Sequence, residues 1–180
     1  MRYTHLAIIC LLTTTLAITA QANNDDKPKL TPVASVDLKR YMGSWYEIAR
    51  YPNRFQKDTV GVIANYTLKK NGDITVVNSG YKKSLDGKKT SSKAKAWVVD
   101  ENTNAKWHVR FIWPFKADYW IIDLCENYTF AVVGQPSRDH LWILSRTPQM
   151  DDETYEQIRE RLVKQGYDPA KLELTKQPKE

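Results

Sequence analysis

Between Gly43 and Arg146, apolar and polar residues alternate with period two, and turn signals cut the alternation at short, regular intervals. Successive side chains of a strand point to opposite faces, so each run can bury one face and wet the other. Repeated in this way, the pattern restricts the chain to an all-β sandwich or barrel. Asn71-Gly72 is the clearest turn, because the favoured two-residue hairpin needs positive φ at both central residues. Asp86-Gly87, the run Asp100–Asn104, Cys125-Glu126-Asn127 and Pro136-Ser137-Arg138 mark the others. Eight strands are predicted, over about 44–51, 60–69, 73–80, 91–99, 105–112, 118–124, 128–135 and 140–146. In Ser92–Val98, small residues alternate with lysines. In Lys106–Phe111, Trp107, Val109 and Phe111 share one face and the charged residues share the other. The apolar set must face inward, since a one-residue slip would bury the charges.

The period then changes. Asp151 caps a helix with an acidic first turn, Tyr155, Ile158 and Leu162 form its apolar stripe, and Gly166 ends it. One amphipathic helix after eight strands can pack against the outside of a barrel wall.

The first 22 residues read as a secretory signal peptide. The start is short and basic, Leu6 to Ile18 is apolar apart from three threonines, and Ala20-Gln21-Ala22 is a small-x-small cleavage pattern. The apolar run is too short to span a bilayer. Cys10 follows Ile8-Ile9, where a lipid-modified cysteine wants a small residue, so the leader is read as cleaved and not lipidated. Residues 23–35 then form a polar linker and 36–175 the folded domain. Export places the protein in the periplasm or outside the cell, with association with an outer membrane as a further option.

Cleavage leaves Cys125 as the only cysteine, which rules out an internal disulfide. His108 and His140 are isolated, and no Cys/His cluster has metal-ligand spacing. There is no nucleophile elbow, histidine triad or phosphate loop. No catalytic residue, metal or cofactor is therefore expected, and Cys125 is the one nucleophile on which an enzyme reading could rest. The formal charge is +6, of which only Arg2 lies in the leader. The lysines are spread along the strands, which suits solvated faces, and export argues against nucleic acid as a partner. Asn65-Tyr66-Thr67 and Asn127-Tyr128-Thr129 match the glycosylation sequon.

Two runs resemble the lipocalin family, in its branch of bacterial lipocalins, plant temperature-induced lipocalins and apolipoprotein D. One is Asp37–Arg50, with Gly43-x-Trp45 at its core; the other is Gly134–Pro148, which is similar to that branch almost residue for residue. Between them the match loosens. The branch carries an aspartate shortly before a tyrosine at the turn between the sixth and seventh strands. Here the run is Asp123-Leu124-Cys125-Glu126-Asn127-Tyr128: Tyr128 matches, but the acid is displaced and Cys125 stands near its place.

The resemblance implies an eight-stranded up-and-down antiparallel barrel, closed at one end and open at the other, holding one small hydrophobic ligand. It also implies that Arg146 stacks on Trp45 at the closed end, with Gly43 and Tyr128 as the other structural positions of the motifs. The up-and-down order puts 52–59, 81–90, 112–117 and 136–139 at the open end. Ala94, Ala96, Val98, Trp107, Val109, Phe111 and Tyr119 are then expected as ligand-contacting wall, with Trp113 and Phe115 at the rim. Arg54, Lys82, Lys83, Lys116 and Arg138 are expected near a polar head group. Strands of this length give a barrel ~18 Å tall, enough for one acyl chain. The expected ligand is a fatty acid or lysophospholipid, carried for storage or transport linked to membrane maintenance. A rigid ring ligand such as a sterol, carotenoid or tetrapyrrole is the alternative. The resemblance leaves room for contact with a membrane surface and for a homodimer.

Overall fold

The computed structural model describes residues 28–179. The expected leader and the first part of the expected linker lie outside these residues. A short helix, α1 (Leu38–Tyr41), opens the fold. Eight strands follow: β1 (Gly43–Arg50), β2 (Thr59–Leu68), β3 (Ile74–Lys82), β4 (Lys89–Val98), β5 (Lys106–Ile112), β6 (Phe115–Leu124), β7 (Phe130–Gly134) and β8 (Leu141–Ser145). A helix, α2 (Asp152–Lys164), a 3-10 turn (Pro169–Lys171) and a two-residue strand, β9 (Glu173–Leu174), complete it. Each strand runs antiparallel to the next, and β1 pairs with both β2 and β8, which closes the barrel.

Register follows the alternation. Trp107 lies opposite Val98 and Tyr119, and Val109 lies opposite Ala96 and Ala117, all on the inner face. On the outer face Lys95 opposes Arg110 and His108 opposes Asp118. The expected boundaries differ most at the open end. β6 begins at Phe115, which pairs with Ile112, so the expected loop 112–117 is a tight hairpin tip at Trp113-Pro114. Aromatic residues and a proline read as loop; β5 ends at Ile112 as expected, and cross-strand pairing starts β6 early, at Phe115.

The core has two layers. One fills the lower barrel, with Tyr41, Trp45, Tyr66, Ile74 and Trp107 among its members. The other lies between the barrel wall and α2, where Ile158 and Leu162 meet Ile122, Val132 and Ile143. Each such aliphatic residue is worth about 1.5–3 kcal/mol on burial. Asp151 caps α2 by accepting from the Thr154 N–H at 2.8 Å, and Gly166, at φ 78°, turns the chain out of it. The segment expected as linker is not free from Leu30 onward: Leu30 is buried beside α2, and Val33 donates its N–H to the Ile121 carbonyl at 2.9 Å. Its apolar residues bury surface that a polar linker would leave wet.

Gly134 shows how tightly the outer layer is seated. A Cβ there would meet the Tyr167 hydroxyl at 2.2 Å. That hydroxyl accepts from the Gln135 N–H at 2.8 Å and donates to the Gln135 carbonyl at 3.0 Å, so it has nowhere to go. Gly134→Ala should cost about 1–3 kcal/mol through overpacking, read from the urea midpoint. The same change in a Tyr167→Phe background should cost less. An equal cost in both backgrounds would count against the clash.

Candidate functional site

The end at which β1 starts is closed. α1 crosses it, capped by Asp37, whose carboxylate accepts from the Lys39 and Arg40 N–H groups. Trp45 is fully buried and donates its indole N–H to the Tyr41 carbonyl at 2.8 Å. The Arg146 guanidinium lies 3.7 Å from the centre of the Trp45 ring. It also donates to the carbonyls of Ser44 at 2.8 Å and Arg40 at 2.7 Å. One residue thus provides a cation–π contact and ties β1, α1 and the end of β8 together. Tyr128, at φ 60°, is held in that rare conformation from outside: its hydroxyl accepts from the Asp37 N–H, and Arg40 sits 4.1 Å over its ring. The displaced acid, Asp123, has found another partner, accepting from Arg161 of α2 at 2.7 Å. Cys125 lies half-buried in the adjacent turn, where the Thr129 hydroxyl holds its thiol below the usual range.

Above this plug lies an aromatic cluster. The rings of Trp107 and Tyr119 stack with centroids 5.1 Å apart, and Tyr41 and Tyr66 meet Trp107 edge-on. The Tyr119 hydroxyl lies 2.8 Å from those of both Tyr41 and Tyr66. Burial raises the pKa of all three phenols, so they stay protonated. Trp107 has no exposed surface, so it belongs to the floor layer; Val98, its cross-strand partner, is only partly buried against the same cluster.

The upper barrel is open. Tyr119, Asn78 and Ser92 point inward by register yet keep accessible surface, which inside a closed barrel is surface facing the lumen. Ala64, Ala94, Val109 and Ala117 line it with small side chains on the same inner face. The rim is apolar and basic. Phe55 is 64% exposed, Phe111 51%, Ile112 72%, Trp113 77% and Phe115 76%. Arg54, Lys57 and Lys116 are exposed beside them in sequence. Lys82 turns its ammonium to the Lys57 carbonyl at 3.0 Å and the Thr59 hydroxyl at 3.2 Å, tying the β1–β2 loop to β3. Arg138 does not face the rim. It donates to the carbonyls of Gln165, Pro136 and Pro28, which commits it to the outer surface.

A polar network that the alternation did not reveal occupies one side of the barrel. β1 and β2 pair only from Gly43 to Tyr46 and splay apart above. The C-terminal segment fills the gap: β9 pairs with Ala49 and Arg50, Thr175 donates its N–H to the Ile48 carbonyl, and Gly61 donates to the Lys176 carbonyl. Gln177 bridges the carbonyls of Glu47 and Val62 at 2.8 and 2.9 Å. Glu47 and Arg50 are both buried here and pair at 2.5 Å. Arg50 also donates to the Thr175 hydroxyl and the carbonyls of Gln56 and Thr59, and Glu47 accepts from Gln56 and Thr175. The sequence did carry a signal, an acid and a base in a strand otherwise apolar on one face. Their spacing of three, however, puts them on opposite faces of a regular strand.

Among the described residues no group of three His, Cys, Asp or Glu could hold a metal ion. The profile of the lipocalin-like domain matches residues 36–177. Temperature-induced lipocalin-1 of Arabidopsis thaliana is 42% identical over 161 residues, covering 84% of this chain and 85% of that protein. Outer membrane lipoprotein Blc of Escherichia coli K12 is 35% identical over 173 residues, covering 96% and 97%. Among solved structures, insecticyanin from the tobacco hornworm Manduca sexta is similar with a TM-score of 0.68 at 21% identity, covering 85% and 87%, a likeness of fold. A closed floor, an open lumen and these matches have one reading: the chain is a lipocalin, a member of a family of non-enzymatic barrels that bind small hydrophobic ligands.

Proposed function

We propose that this lipocalin carries a single-chain lipid, a fatty acid or lysophospholipid, inserted tail first. The observation that carries the reading is the make-up of the open end, where Phe55, Phe111, Ile112, Trp113 and Phe115 stand exposed among Arg54, Lys57 and Lys116. Apolar clusters of this kind on a surface mark a binding site. An acyl tail would run down past Phe111, Val109, Ala94 and Ala96 toward Tyr119. An anionic or zwitterionic head group would stay at the rim with Arg54, Lys116 and Lys82. The hairpin tip at Trp113 and Phe115 would meet the membrane from which the lipid is taken. Export to the periplasm or beyond fits this role, and a relative named as an outer membrane lipoprotein supports work at a membrane.

The tail should dominate affinity, because each buried methylene is worth about 0.8 kcal/mol. The head group should add a smaller, salt-sensitive part, because exposed charges are screened over about 8 Å at physiological ionic strength. Titrating lipids of increasing chain length against tryptophan fluorescence should show affinity climbing with length and then levelling as the tail outgrows the barrel. Added salt should weaken binding modestly. Affinity indifferent to chain length, or a two-ring pigment bound far more tightly than any single-chain lipid, would overturn the proposal in favour of a rigid ring ligand.

A further inference from the structure

The three floor phenols have one proton too many for the bonds they make. Each hydroxyl carries one hydrogen and two lone pairs. Tyr41, Tyr66 and Tyr119 share two contacts, both 2.8 Å and both ending on the Tyr119 oxygen. Two contacts use two hydrogens, so one O–H is left without a partner among the described residues. Which one is left follows from burial. Tyr41 has no exposed surface and Tyr66 almost none, and neither hydroxyl has a second partner among the described residues. A buried donor left unsatisfied costs far more than one that faces open space. Both buried phenols therefore donate to Tyr119, whose oxygen has two lone pairs to receive them. The spare hydrogen is that of Tyr119, the least buried member of the trio, whose side chain lies on the inner face of β6. Two incoming hydrogen bonds polarise that O–H and make it a stronger donor.

We infer that the Tyr119 hydroxyl is a ligand-binding donor at the base of the barrel, and that it selects lipids whose buried end carries a neutral oxygen acceptor, a hydroxyl or a carbonyl. A plain methyl terminus covers this donor without bonding it; an oxygenated terminus satisfies it. A carboxylate is the wrong partner at this depth, since a buried charge is costly unless a countercharge pairs it, and the Arg50 guanidinium is already committed to Glu47. The small side chains above, Ala94, Val109 and Ala117, leave a passage for a chain to reach the site. The inference rests on the single-chain reading and names which chains are preferred.

The test uses the full-length mature protein and two probes: the saturated fatty acid of the length that binds tightest, and the same acid with a hydroxyl at its far end. In Tyr119→Phe the ratio of the two dissociation constants should shift by about tenfold against the hydroxylated acid, the worth of one good hydrogen bond. Because Tyr119→Phe also strips the acceptor from Tyr41 and Tyr66, the plain acid bound to the same variant is the reference, and only the ratio is read. A ratio equal in both proteins would overturn the inference while leaving the single-chain reading intact. If neither acid binds the unaltered protein, the single-chain reading falls and takes this inference with it. A second measurement needs no variant. An isotope-labelled ketone near the far end of the chain should show its carbonyl stretch lowered in the complex relative to the same lipid in hexane. An unshifted band would overturn the inference.

Discussion

Arg50→Met should be among the most damaging substitutions in this protein, costing about 3–5 kcal/mol of stability. The methionine fills much of the same volume, so the loss is electrostatic. Glu47 would remain buried with only Gln56 and Thr175 to bond it, and the carbonyls of Gln56 and Thr59 would lose their donor. An uncompensated buried carboxylate costs more than the pair ever contributed, because both charges were desolvated to make it. The double variant Glu47→Leu/Arg50→Met should therefore recover part of the loss. Urea denaturation of the two single variants and the double closes the cycle. Single variants within about 1 kcal/mol of the parent protein would show that water reaches the pair and that the C-terminal segment does not seal the gap.

Trp45→Ala should cost a similar amount, about 3–5 kcal/mol, by leaving a large void under a residue with no exposed surface. Arg146→Ala should cost less, about 2–3 kcal/mol: a shielded cation–π contact of about 2 kcal/mol is lost, and the carbonyls of Ser44 and Arg40 lose a donor but regain water at the rim of the plug. The double variant should cost less than the sum, since the two share one contact. Affinity for lipid should change far less than stability in all three, because the Tyr41–Tyr66–Tyr119 layer stands between the plug and the lumen. A variant that keeps its melting temperature but loses binding would show that the plug touches ligand.

Stability and binding thus divide along the barrel axis. The closed half is packed solid with aromatic rings and tied by Arg146. The open half is lined by small residues on its β2–β6 side and by Trp142 and the Glu47–Arg50 pair near β1, and is rimmed by exposed aromatics. A close-packed interior has no room for a guest, so the protein needs its rigid floor to hold the strands in place around a lumen that is left unfilled.

The alternation along 43–146 by itself determined the strands and their inner faces, because side-chain direction in a strand is a local property with a period of two. The same holds for α2, whose cap, charge order and apolar stripe are all written within its own residues. The resemblance of the two motifs added the floor pair of Trp45 and Arg146. Tertiary structure decided what locality cannot. In β1 the pairing with β8 steps from Glu47–Leu144 to Ala49–Ile143, a bulge at Ile48 that reverses the parity of everything after it. Only that extra residue turns Arg50 to the same side as Glu47. The height of a residue along the barrel is likewise set by the stagger of neighbouring strands, which is why Trp107 shares the inner face with Val109 yet belongs to the floor. The seat of Thr175 and Gln177 on Glu47 joins residues about 130 positions apart. No local pattern encodes such a contact: it exists because β1 and β2 part, and unpaired backbone inside a barrel must find partners.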